Sequence, residues 1–152
     1  MLLVPAVACG ALLVALVAVS LHQASMQDLA RLGVSDCPCG SGRAYGACCG
    51  PLHRGTAVAA TPEQLMRSRY SAYALAELDY VFRTWHPRTR PDDITPDPSL
   101  TWTGLRIVAA DGDEVEFVAS YVRDGVAGEI HERSRFEQRR GKWVYLDGDV
   151  LS

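Results

Sequence analysis

The sequence predicts an α+β protein: a small cysteine-rich element, then two helices, then an antiparallel four-stranded sheet. Three observations carry that expectation. Apolar residues recur at helical spacing between Thr61 and His86, and the period switches to two from Thr101 onward. Asp111-Gly112, Asp124-Gly125 and Gly141 punctuate the second half with hairpin signals. Cys37, Cys39, Cys48 and Cys49 are gathered in one short stretch, CPCGSGRAYGACC, ahead of both. Helices followed by a meander of strands imply helices laid on one face of the sheet.

The first segment, residues 1–25, is set apart. Leu2 to Leu21 is a continuous apolar run without a charged side chain, long enough to span a bilayer as a helix. It lacks the basic n-region of a secretory signal, and no A-x-A cleavage site follows. Met26, directly before QDLARLGVSDCPCG, is the expected start of the functional protein, which removes the run. A retained run is the alternative, a membrane anchor that leaves the domain cytoplasmic by the positive-inside tendency; a cleaved signal is the third.

Residues 36–50 form the cysteine knuckle. Four thiolates at one locus match the ligand count of a closed tetrahedral Zn2+ site, with no position left for substrate, so the metal is expected to be structural. Cys37 and Cys39 flank a single residue, and Gly40, Ser41 and Gly42 turn the chain so that Cys48 and Cys49 return as the second pair. A disulfide cluster and buried free thiols are the other readings. Pairing inside either doublet would be strained, because a disulfide needs a specific Cβ separation. Four sulfurs fill the shell, so nearby His53 is expected to be a bystander. Reduced thiolates favour the cytoplasm.

Residues 50–60, GPLHRGTAVAA, read as a linker. Thr61-Pro62-Glu63-Gln64 then starts a helix: Thr61 caps, Pro62 suits the first turn, and Gln64 completes a capping box. The helix is expected to reach about Ala76, with Met66, Tyr70 and Tyr73 on one stripe. A second, shorter helix places Leu78, Val81, Phe82 and Trp85 on one face and ends before Pro87. Residues 88–99 are an irregular connection, with one helical turn expected at 92–95. Strands are expected at 101–110, 114–123, 126–138 and 143–150.

The third strand is the most informative. Val126, Gly128, Ile130, Glu132, Ser134 and Phe136 share one face, while Glu129, His131, Arg133, Arg135 and Glu137 share a wholly polar one. The first set should face the core, which buries Glu132 and Ser134 among apolar neighbours. A buried carboxylate must be paired or hold its proton more tightly. Arg67 and His86 are the candidate partners, and a satisfied internal ion pair is set against a polar functional pocket. The chain carries 15 Lys and Arg against 18 Asp and Glu, and a net charge of −3. That balance, with acidic residues interleaved among Arg133, Arg135, Arg139, Arg140 and Lys142, argues against nucleic-acid binding.

The cysteine element, with its C-x-C-x-S-G and C-C signature, resembles the SEC-C motif, the zinc-binding tail of the SecA translocation ATPase, where it contacts a chaperone and lipid surfaces. From Cys37 onward the chain resembles the YchJ family of bacterial proteins through CPCGSG…CCG, LMRSRYSAY (65–73), Asp79-Tyr80, TWHP (84–87), ERSRF (132–136) and YLDG (145–148). The resemblance implies that residues 61–152 form a domain similar to nuclear transport factor 2, a cone of curved antiparallel sheet wrapped by helices around an interior cavity. It implies two function classes. The expected one is a non-catalytic cytoplasmic adaptor whose knuckle docks on a protein partner. The other is a small-molecule binder, or an isomerase- or dehydratase-type enzyme, using the cavity as ketosteroid isomerases and scytalone dehydratases of this fold do. For that second class the candidate cavity residues are Arg67, Tyr70, His86, Glu132, Ser134 and Tyr145, with Asp147 as a further inward carboxylate. A filled cavity would favour the adaptor; a deep one with Glu132 facing His86 would favour the binder or enzyme. No membrane contact is expected unless residues 1–25 are retained.

Overall fold

The computed structural model describes residues 35–152. Residues 1–25 and the expected start at Met26 lie outside the described residues. No helix among the described residues is long and apolar enough to cross a membrane.

The knuckle contains a 3-10 turn at Tyr45–Ala47, followed at once by a one-turn helix, α1 (Gly50–His53). The expected linker therefore begins as ordered helix, and Leu52 and His53 in it are buried. Helix α2 (Pro62–Ala74) follows, then α3 (Leu78–Arg83). Four strands complete the fold: β1 (Leu100–Asp111), β2 (Glu114–Arg123), β3 (Val126–Arg139) and β4 (Lys142–Val150). They form one antiparallel sheet in the order β1-β2-β3-β4. Residues 92–95, expected to make a helical turn, make none.

Helix α2 starts where its cap dictates. Thr61 Oγ1 accepts the Gln64 N–H at 3.1 Å, and Pro62 needs no donor partner in the first turn. The return bond is displaced by one residue from the expected box: Gln64 Oε1 takes the Ala60 N–H at 2.7 Å. Thr61→Ala is expected to cost about 1 kcal/mol of stability in denaturant unfolding; an unchanged midpoint would remove the cap from the argument.

The predicted face of α3 is corrected. Tyr80 and Val81 are buried, whereas Phe82 is exposed beneath the Arg90 guanidinium, 3.7 Å from its ring centroid. Tyr80 is held inside by its hydroxyl, 2.7 Å from Ser68 Oγ. A polar tip with a buried partner outcompetes a fully apolar ring on so short a helix.

The sheet bends. Pairing of β1 with β2 slips between Trp102 and Gly104 and again between Ile107 and Ala109, and β3 with β4 slips between Arg135 and Phe136. Each irregularity adds local bend and twist, which gives the sheet a concave face toward α2. Two hairpins close through consecutive positive-φ residues, Asp124-Gly125 and Arg140-Gly141, the backbone geometry that tight two-residue turns require. The core lies between α2, α3 and that concave face, built on Leu65, Tyr70, Val81, Val115, Phe117 and Phe136.

Candidate functional site

The four cysteine sulfurs of the knuckle lie within 4.8 Å of one another. Cys39 Sγ is 3.6 Å from Cys48 Sγ, which is 4.0 Å from Cys49 Sγ. A tetrahedral site with ~2.3 Å metal–sulfur bonds has sulfur–sulfur edges of about 3.8 Å, so the donor set is close to the spacing that a metal ion needs. Cys37, Cys39 and Cys49 are buried, while Cys48 is half-buried beside Ser41 Oγ at 3.2 Å. The crowding shows in proton affinity. Hydrogen bonds from Cys39 and Cys49 pull the Cys37 thiol down to about 3, and the same cluster pushes Cys49 well above the ordinary thiol range. One thiolate forms readily and the next is opposed by its neighbours, the situation that a cation resolves.

The knuckle is fastened to the domain. Its backbone closes through Cys37 N–H to Arg43 O at 2.8 Å, and Gly40 and Gly42 adopt positive φ in the turn. Arg67 Nη1 donates to Cys39 O at 2.9 Å, and Cys37 Sγ lies 3.7 Å from Ser71 Oγ of α2. Leu75 packs in the same small core as Cys37, Cys39, Tyr45 and Cys49. His53 is not a ligand, as the sequence implies, but it is a strut. Its Nδ1 accepts from the Tyr45 hydroxyl at 2.7 Å, and its Nε2–H donates to Ser68 O at 2.8 Å. Burial lowers its pKa, consistent with a neutral ring. His53→Leu leaves the buried Tyr45 hydroxyl unpaired and removes the tie to the Ser68 carbonyl; the expected cost is on the order of 2 kcal/mol, read from chemical unfolding, and a wild-type midpoint would contradict the strut.

The second site is a cavity of about 280 Å³ between α2 and the concave sheet. Met66, Arg69, Tyr70 and Tyr73 enter it from α2, Trp85 from the segment after α3, and Trp102 from β1. Phe117 and Ala119 of β2, Ile130, Glu132 and Ser134 of β3, and Tyr145 of β4 supply the floor. Alternation puts Glu132 there: Phe117 pairs with Glu132, and Ala119 with Ile130, so their side chains share the inner face.

Glu132 Oε1 accepts the Ser134 hydroxyl at 2.6 Å and the Tyr145 hydroxyl at 3.2 Å. Burial, with Glu132 adding to it, raises the Tyr145 pKa, so the phenol stays protonated and donates. Tyr70 is pushed up to about 12 by burial, and its ring meets Trp102 edge-on at 5.7 Å. Gly148 of β4 lies directly beneath Glu132: a Cβ there would meet Glu132 Oε1 and stand 2.7 Å from its Cδ. The absence of a side chain at 148 is what lets the carboxylate lie flat in the cavity floor.

Four of the six expected cavity residues, Tyr70, Glu132, Ser134 and Tyr145, come together here; two do not. Arg67 points the other way, to Glu63 Oε1 at 2.8 Å and to the knuckle. His86 is buried outside the cavity, with Nδ1 accepting Arg88 N–H at 3.1 Å and Nε2 3.6 Å from Glu137 Oε1. Neither is the partner of Glu132. Asp147 also faces outward, 2.6 Å from Arg135 Nε. The cation that sequence reasoning missed is Arg69, 3% exposed. Its Nη1 donates to Val81 O at 2.8 Å and Thr84 Oγ1 at 2.9 Å. Its guanidinium lies 5.0 Å from the Trp85 ring centroid and 4.7 Å from that of Tyr145. The signal was present: Met66, Arg69, Tyr70 and Tyr73 fall at i, i+3, i+4 and i+7.

The arrangement joins a carboxylate that is half-buried, not fully buried as its face of the strand implies, with two hydroxyl donors, a buried guanidinium, and aromatic walls. It can bind a small molecule that is largely apolar with few polar groups, and the Glu132–Tyr145 pair can hold and orient a proton.

Known proteins combine the same two parts. Residues 61–148 match the family described as YchJ, middle NTF2-like domain, and residues 35–51 match the SEC-C motif. A UPF0225 protein of Deinococcus radiodurans is 60% identical over 112 residues, covering 73% of this chain and 86% of its own length. One from Streptomyces coelicolor is 51% identical over 122 residues, covering 76% and 95%. The solution structure of RPA3114, a SEC-C motif containing protein from Rhodopseudomonas palustris, superposes with a TM-score of 0.68 at 40% identity, covering 78% of this chain and 100% of that one. A crystal structure of a SEC-C motif containing protein from Psychrobacter arcticus gives a TM-score of 0.63 at 25% identity, covering 79% and 85%. With its cysteine knuckle packed onto a cone whose sheet and helix frame one cavity, the chain belongs to the UPF0225 family, a SEC-C motif joined to a YchJ-type NTF2-like domain.

Proposed function

We propose that the chain is a small-molecule-binding protein whose functional site is the cone cavity, and whose knuckle holds a structural zinc ion. The observation that carries this reading is the cavity itself. Its aromatic residues line it without filling it, and a buried Arg69 and a half-buried Glu132 bring charged groups to it. Space of about 280 Å³ is just below the ~300–1,000 Å³ range of drug-sized ligand pockets, which suits a compact metabolite. The test is a panel of small aromatic compounds, neutral and charged, titrated while tryptophan fluorescence is followed, since Trp85 and Trp102 both line the site. Saturable quenching is expected in the wild type, with loss of binding and an undiminished melting temperature in Ala119→Phe, which fills the space. Binding that survives Ala119→Phe would move the site elsewhere.

Zinc is the ion that four clustered thiolates favour. Protein prepared under reducing conditions should carry about one zinc per chain by metal analysis. Docking on a protein partner is the second reading, and it rests on one observation: residues 40–44 of the knuckle form an unbroken exposed run. The close fastening of the knuckle to α2 makes its first role structural.

A further inference from the structure

We infer that the cavity selects a small planar organic carboxylate, with the anionic group seated on the Arg69 guanidinium and the ring between the aromatic walls. This rests on the cavity reading above and narrows its ligand.

Arg69 is a charged group 3% exposed, and a buried cation is costly unless an anion or dense polar contacts answer it. Its hydrogen bonds go to two neutral acceptors, Val81 O and Thr84 Oγ1, and both leave from Nη1. No carboxylate among the described residues lies within ion-pair distance of it. Glu132 acts on its charge only from farther away, and Glu132 itself accepts hydrogen bonds from Ser134 and Tyr145. The remaining Nε and Nη2 donors form the fork that a carboxylate grips side-on through two parallel hydrogen bonds. The guanidinium is pre-set for that grip, because its position is fixed by Nη1 and by its contacts with the Trp85 and Tyr145 rings. Tyr70, Tyr73, Trp102 and Phe117 line the rest, surfaces on which a flat ring packs edge or face.

The experiment titrates the intact chain with benzoate, its neutral isostere benzamide, and the cation benzylamine, following tryptophan fluorescence near neutral pH. Benzoate is expected to bind at least about tenfold more tightly than benzamide, the scale of one charge-assisted bidentate contact. Glu132→Gln removes a neighbouring negative charge and should tighten benzoate binding about threefold or more; Arg69→Gln should erase the preference for benzoate over benzamide. Equal binding of benzoate and benzamide would overturn the anion assignment and leave the cavity reading standing. Tightest binding of benzylamine would overturn it too, making Glu132 the selecting group. No saturable response to any of the three would sink both readings. The wild-type comparison needs no substitution, so it decides even where Arg69→Gln fails to fold.

Discussion

Treating the protein with a chelator under reducing conditions is expected to lower the melting temperature by about 15 °C or more, corresponding to a loss on the order of 4 kcal/mol. Cys39→Ser should do the same without a chelator. A free-standing knuckle would unfold alone and leave the cone intact. The packing argues otherwise. The small core around the sulfurs consists of Cys37, Cys39, Tyr45, Cys49 and Leu75, and its one aliphatic member comes from the end of α2. Without an ion, the cysteines in it are mutually repelling thiolates or unpaired thiols, with little apolar area to hold them. Losing them exposes Leu75, breaks the Arg67 bond to Cys39 O, and frees the Tyr45–His53–Ser68 chain that ties α1 to α2. Helix α2 carries Arg69 and Tyr70 into the cavity, so the damage should reach ligand binding. A chelated protein that melts like the untreated one, with unchanged near-ultraviolet circular dichroism, would show the knuckle to be an appendage.

The strands were legible because three local signals agree at each turn: an Asp or Arg followed by Gly, an end to alternation, and a restart. The third strand, expected at 126–138, is observed at Val126–Arg139, with Ser134 and Phe136 buried as expected but Val126 exposed beyond the end of the core. The inner face delivers Glu132 and Ser134 as alternation requires. The outer face forms its own network, with Glu116 between His131 at 2.8 Å and Arg133 at 2.9 Å. What alternation does not encode is curvature. The register slips near Trp102, Ile107 and Phe136 have no marker in an apolar/polar pattern, yet they bend the sheet into a wall with space behind it. The expectation that Arg67 enters the cavity fails for a different reason. The two arginines sit two residues apart in LMRSRY, about 200° around a helix, so one faces the knuckle and the other the cavity. Extending the Met66–Tyr70–Tyr73 stripe by one member selects Arg69. His86 was not reachable in this way: a strand-like seam fixes it, with its N–H on Tyr145 O at 2.7 Å and Tyr145 N–H on Thr84 O at 2.8 Å. Such long-range pairing has no local signature.

Gly148→Ala is expected to abolish ligand binding in the cavity and to destabilise the fold by on the order of 3 kcal/mol. The position does not need glycine for its backbone, since its φ is not among the positive ones. It needs glycine for space: an added methyl would overlap Glu132 Oε1 and stand 2.7 Å from Cδ and 3.0 Å from Cγ. Glu132 must then lift off the sheet. That movement breaks its bonds from Ser134 and Tyr145, and Ser134, fully buried, keeps an unpaired hydroxyl. The displaced carboxylate is pushed into the cavity, where it takes the ligand's place. A double-mutant cycle separates this account from ordinary strand destabilisation. In a Glu132→Ala background the methyl has room, so Gly148→Ala should cost about 1 kcal/mol or less, leaving a coupling near 2 kcal/mol between the two sites. Additive losses would mean that Gly148 acts through the β4 backbone alone, and that the flat seat of Glu132 does not govern the cavity floor.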